Sequence, residues 1–181
     1  MKRLHYKLSA AMLVIVMLLG AAFYVVDRYS VRLYYEELSQ RLNASLAMYV
    51  ANARPLIRNG EVNRQALEAL ANRAMVINPT AEIYLVAPGG TILGHALPPE
   101  DVVVDRVDTG PILDLVAESA PWPIKGIDPR HPGSRKIFSA FPVTDPAEPG
   151  RVSGYLYVVL GGSQYETVAA QVAGSDRQRM I

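Results

Sequence analysis

The sequence predicts an α+β protein in which one transmembrane helix continues into a long N-terminal helix that packs on an antiparallel sheet, with an exit helix at the C-terminus. Three observations predict it. Leu8 to Val26 carries no charged residue. From Asp27 to Arg58 there is no glycine, and apolar residues recur at helical spacing. After Asn78 four β-rich runs are separated by proline- and glycine-bearing turns. The chain has 181 residues, half of them apolar and 19% charged, which suits one globular domain plus a hydrophobic segment. The roughly 150 residues beyond that segment can bury a core without cross-links. Cysteine is absent, so a disulfide scaffold, a thiolate zinc site and a thiol nucleophile are all excluded.

The uncharged run reads LSAAMLVIVMLLGAAFYVV, and its nineteen residues make a helix of about 28 Å, close to the hydrocarbon thickness of a bilayer. Lys2, Arg3, His5 and Lys7 precede it, while Asp27-Arg28 follow. The positive-inside bias therefore predicts a cytoplasmic N-terminus (1–7), a transmembrane helix (8–26) and an outer domain (27–162) that leads into an exit helix (163–181). Gly20-Ala21-Ala22 offers a signal-peptidase site as the competing reading, but the apolar run continues through Val26 and a helical pattern follows without interruption. Beyond the segment, fifteen Lys/Arg stand against seventeen Asp/Glu. That balance supplies no basic face for phosphates and excludes nucleic acid as a partner.

In the outer domain the helix is predicted to run on as a rod to Arg58. Val31, Tyr35, Leu38, Leu42, Ser45, Tyr49, Asn52 and Leu56 follow a heptad seam. Leu46, Val50, Ala53 and Ile57 widen the stripe, so packing on the domain's own sheet and a dimer seam can coexist. Asn59-Gly60 ends the rod, and Asn63 is placed to cap a second helix through Met75. Ala81–Val86 and Thr91–His95 form a hairpin about Ala87-Pro88-Gly89-Gly90. Val102-Val103-Val104 is a candidate short strand, and Gly110-Pro111 opens a short helix. Ser119 to Ser134 holds four prolines, an expectation of loop that stays out of a central sheet. Lys136–Val143 and Val152–Leu160 read as a second antiparallel pair, and Ser163-Gln164-Tyr165-Glu166 is a capping box opening the exit helix.

This order of elements resembles an extracytoplasmic PAS-like sensor of the PDC or Cache type. Asn78–Val86, Asp105-Arg106-Val107-Asp108, Gly126-Ile127-Asp128-Pro129-Arg130 and Gly154–Gly162 are similar to the periplasmic input regions of bacterial membrane-bound sensor histidine kinases. The resemblance covers most of the chain. It implies a bacterial inner-membrane protein with a periplasmic domain, a homodimer, and a cognate response regulator engaged only through a kinase portion. That portion, which would use ATP and Mg, is not in this chain, so the resemblance implies a fragment or truncated product, and no cofactor is expected here.

Catalytic patterns are absent from the sequence. His5, His95 and His131 lack metal-site spacing, the glycine pairs lack G-x-G-x-x-G, and no serine sits in G-x-S-x-G. What stands out is a polar constellation in the loop-rich middle: Arg106, Asp108, Trp122, Lys125, Asp128, Arg130 and His131, with Lys136 and Ser139 on the next strand. PAS-like sensors hold small molecules between the sheet and such loops, so the resemblance makes these residues a candidate shell for a small anionic ligand, since Arg and Lys suit carboxylate and phosphate groups. Two readings of the loop stay open: a ligand shell, or Asp128 and Arg130 stapling the loop to its neighbours. Two function classes follow: a receptor input module, or a membrane-anchored envelope enzyme or solute-binding protein acting alone. The input module is expected to serve a histidine kinase, with a chemoreceptor or a diguanylate cyclase as the alternative.

Overall fold

The computed structural model describes residues 2–51, 55–78 and 80–161. It divides into two units, residues 1–38 and residues 39–181. The first unit is helical. Helix α1 (Lys2–Asn43) runs unbroken through it, as expected from a stretch without glycine breaks or proline beyond Gly20. Its apolar side chains from Met12 to Val26 are exposed, and it is the one helix among the described residues long and apolar enough to cross a membrane. Residues 163–181, where the exit helix is expected, lie outside the described residues.

In the second unit the rod stops earlier than its pattern predicts. After Asn43 the chain turns at Ala44-Ser45 and resumes as α2 (Leu46–Ala51). Ser139 satisfies the main chain at the break: its hydroxyl donates to the Ala44 carbonyl at 2.8 Å and accepts from the Ala47 amide at 3.3 Å, replacing bonds that a continuous helix would make internally. Ile57, expected at the end of the rod, lies in strand β1 (Ile57–Arg58), paired antiparallel with β2 (Glu61–Val62). The Asn59-Gly60 turn between them has φ of 54° and 78°, the two left-handed positions of a tight hairpin turn. Asn63 caps α3 (Arg64–Ile77), its side-chain oxygen accepting from the Ala66 amide at 3.1 Å.

Strands β3 (Glu82–Val86) and β4 (Ile92–His95) form the expected hairpin. Val102–Val104 is not a strand; the amides of Val103 and Val104 instead donate to the Pro129 carbonyl. Helix α4 (Gly110–Val116) follows. The proline-rich middle does contribute a strand, β5 (Lys125–Ile127), which pairs with β6 (Arg135–Thr144), and β6 pairs with β7 (Val152–Val159). The sheet order is β4-β3-β7-β6-β5, so the proline-flanked strand takes an edge, where a missing amide beyond it costs no ladder bond.

Alternation gives this antiparallel sheet two distinct faces. Leu46 and Ala47 of α2, with Leu67, Leu70 and Ala74 of α3, cover Ile83, Leu85, Leu156 and Val158. Leu42 and Tyr49, from the heptad set, stay exposed. Ile112 and Leu115 of α4 and Ile124 cover Tyr84, Phe138, Tyr155 and Tyr157 on the opposite face. Full burial of Phe138 alone is worth about 1.5–3 kcal/mol. The loop-rich middle thus lies over one face, with α2 and α3 on the other.

Candidate functional site: a buried charge network over the sheet

Asp128 directly follows β5 and is wholly buried. One carboxylate oxygen accepts the Arg130 amide at 2.9 Å, a local turn set by Pro129. The other lies 3.1 Å from Lys136 Nζ and 3.2 Å from His131 Nδ1. Burial by itself pushes the Asp128 carboxyl up, but the Arg130 amide, the Lys136 ammonium and the His131 ring together outweigh it and hold the group below the ordinary carboxylate value.

Arg130 reaches across to strand β3. Its Nη1 donates to Glu82 Oε1 at 3.1 Å and its Nη2 to Asp101 Oδ2 at 2.8 Å, so one guanidinium ties the loop to the sheet and to the 3-10 turn at Pro99–Asp101. Burial works against the Arg130 charge, yet the two carboxylates hold its pKa above the ordinary arginine value. Glu82 also accepts the Tyr84 hydroxyl at 3.0 Å. Burial first, then the Glu82 charge, raises the Tyr84 phenol, which therefore serves as a donor. Tyr157, raised by burial and then by the Asp128 charge, donates to the Ile127 carbonyl at 2.8 Å and stacks obliquely on Phe138 at 4.8 Å. Gly126 sits against that ring: an added Cβ would meet the Tyr157 hydroxyl and lie 3.2 Å from Phe138, so β5 passes this point only with glycine.

Of the residues chosen from sequence, the structure brings together Asp128, Arg130, His131 and Lys136. The other five lie elsewhere. Arg106 donates to the Gly89 carbonyl at 2.7 Å beside the β3–β4 turn. Asp108 accepts the Gly110 amide at 3.0 Å ahead of α4. Trp122 lies under the Arg41 guanidinium, 5.0 Å from ring centroid to Cζ. Lys125 is on β5 opposite Ile137, and alternation turns it away from the face that Gly126 shares with Tyr157. Ser139 is on the helix-covered face, bonded to the α1–α2 break.

Sequence reasoning missed Glu82, Asp101 and Tyr84. Glu82 had a readable signal, the single charge in the otherwise apolar run from Ala81 to Val86. Asp101 had none. A separate groove of about 660 Å³ lies between α3, β4 and the loop from Leu97 to Asp105, lined by Arg64, Glu68, Leu93, His95 and Val103 among others. None of the sequence-chosen residues lines it.

No family model, curated protein or solved structure matches this chain. Two cations face three carboxylates, with His131 at the solvent side, and the Arg130 pairs bind the loop to the sheet. No three acidic or histidine side chains among the described residues are placed to hold a metal ion. The arrangement positions the loop on the sheet, and an anion entering at Arg130 would compete with the Glu82 and Asp101 carboxylates.

Proposed function

We propose that this chain is the extracytoplasmic input region of a transmembrane sensor histidine kinase, with a PDC/Cache-like domain outside the membrane. The observation that carries the reading is the pairing of an exposed apolar helix with a two-faced antiparallel sheet whose loop-covered face holds a buried charge network. Such a domain acts by population shift rather than by bond chemistry: a stimulus that binds one arrangement of the loop better biases the helices toward it. Exposed Val31, Tyr35, Leu38 and Leu42 of α1 suit a homodimer seam along the rods, whose local concentration the bilayer raises. An anchored solute-binding protein is the alternative function, and a chemoreceptor or diguanylate cyclase the alternative output.

Two measurements test the reading. Reporters that work only after export, fused at Asp27 and at Ile181, should both be active; activity confined to the cytoplasm refutes the orientation. The coding sequence read past Ile181 should show a second apolar segment and a kinase, and a stop codon there favours the anchored binding protein.

The ligand proposed for the loop is a small anion held by Arg130. Asp101 is the partner it would displace, because its side chain is one-third exposed while that of Glu82 is 6% exposed. Asp101→Asn removes a competing, partly solvated ion pair worth about 0.2–1 kcal/mol, so affinity for a monocarboxylate or phosphate should rise up to about fivefold. Titration calorimetry of the protein truncated to begin at Tyr29 reads this directly. Equal affinities in the two proteins, or no binding by either, place the stimulus elsewhere.

A further inference from the structure

The last turn of α1 is joined to the loop face through the Gln40 amide, beside the contact of Arg41 with Trp122. Gln40 is wholly buried, and its amide makes three hydrogen bonds to main chain more than eighty residues away. Nε2 donates to the Ile124 carbonyl and to the Phe138 carbonyl, each at 2.8 Å, while Oε1 accepts the Ile124 amide at 2.8 Å. Gln40 therefore pairs with Ile124 through both its amide and its carbonyl, as a neighbouring strand residue would, at the point where β5 has not yet begun. The next residue, Arg41, lies over Trp122.

What Gln40 grips leads straight to the charge network. Ile124 opens into β5, which Asp128 directly follows, and Phe138 is two residues from Lys136, the ion-pair partner of Asp128. Both routes run along hydrogen-bonded strand, which transmits displacement instead of absorbing it.

We propose that Gln40 is a positioning residue that makes the Asp128 loop and the last turn of α1 move as one body. As signal transfer this rests on the sensor reading above; as a mechanical link it does not, and its test uses no ligand. A spin label at Leu42→Cys, unique because the chain has no cysteine and exposed on that last turn, reports the helix end in the full chain in bilayer discs. Asp128→Asn, which keeps shape but removes the charge facing Lys136, should alter the label's mobility. Adding Gln40→Met should abolish most of that response, whereas a role limited to stability would lower the melting temperature and leave the response intact. A response undiminished by Gln40→Met, or no response to Asp128→Asn with Gln40 present, overturns the proposal. Should Gln40→Met fail to fold, hydrogen exchange on the unsubstituted chain decides. The Ile124 amide and the last-turn amides of α1 should open together, with the same denaturant dependence, and separate openings overturn the link.

Discussion

Arg130→Met is expected to cost about 3–5 kcal/mol of folding stability, since it removes the guanidinium from two carboxylates of which Glu82 is buried in the sheet. Methionine keeps much of the stem volume, so the loss reports charge and hydrogen bonding rather than a cavity. In a domain of this size that corresponds to a fall in melting temperature on the order of 10 °C. Adding Glu82→Gln should recover part of it, because a neutral amide can still accept the Tyr84 hydroxyl without facing Arg130. Thermal unfolding of the three proteins truncated to begin at Tyr29 checks this. If Arg130→Met melts with the parent, the loop is not held to β3 by this pair.

Asp128→Ala should lose a similar amount, about 3–5 kcal/mol at neutral pH, by taking the shared acceptor from Lys136, His131 and the Arg130 amide. Its pH dependence has a definite sign. The folded carboxyl titrates below the ordinary 3.8, so its stabilisation is complete above that value. It drains away as pH falls through the lower folded value, because the unfolded chain takes up the proton first. The gap in urea midpoint between parent and Asp128→Ala should hold steady from about pH 7 to about pH 5 and narrow at about pH 3. A gap that widens on acidification would mean that Asp128 is not held ionised by its partners.

These two residues also mark how far the site was legible. Asp128 and Arg130 were readable as a loop pair because Pro129 between them forces a turn and because charges among prolines and glycines ask for partners. Their actual partners were not. Whether Lys136 or Ser139 joins them depends on the register of β6, and a shift by one residue exchanges the two faces. The structure sets Lys136 with Asp128 and Ser139 against the α1–α2 break. Glu82 could have been flagged as a charge in an apolar strand. Asp101 could not, because a carboxylate in an exposed-looking loop says nothing about a guanidinium twenty-nine residues on.

By itself the sequence determined what local physics dictates: the apolar helix, the Asn63 cap of α3, the β3–β4 hairpin and the long β6–β7 pair, each written in residue spacing or turn chemistry. Tertiary structure alone decided where the rod breaks, that β5 joins the sheet edge, which face carries the charges, and that Gln40 holds the Ile124 main chain. Hydrogen bonds from a side chain to distant backbone have no pattern to read, because every residue offers the same amide and carbonyl. The periodicity of α1 continues past Ala44 as if the helix did, and a hydroxyl arriving from β6 satisfies the main chain where it turns instead.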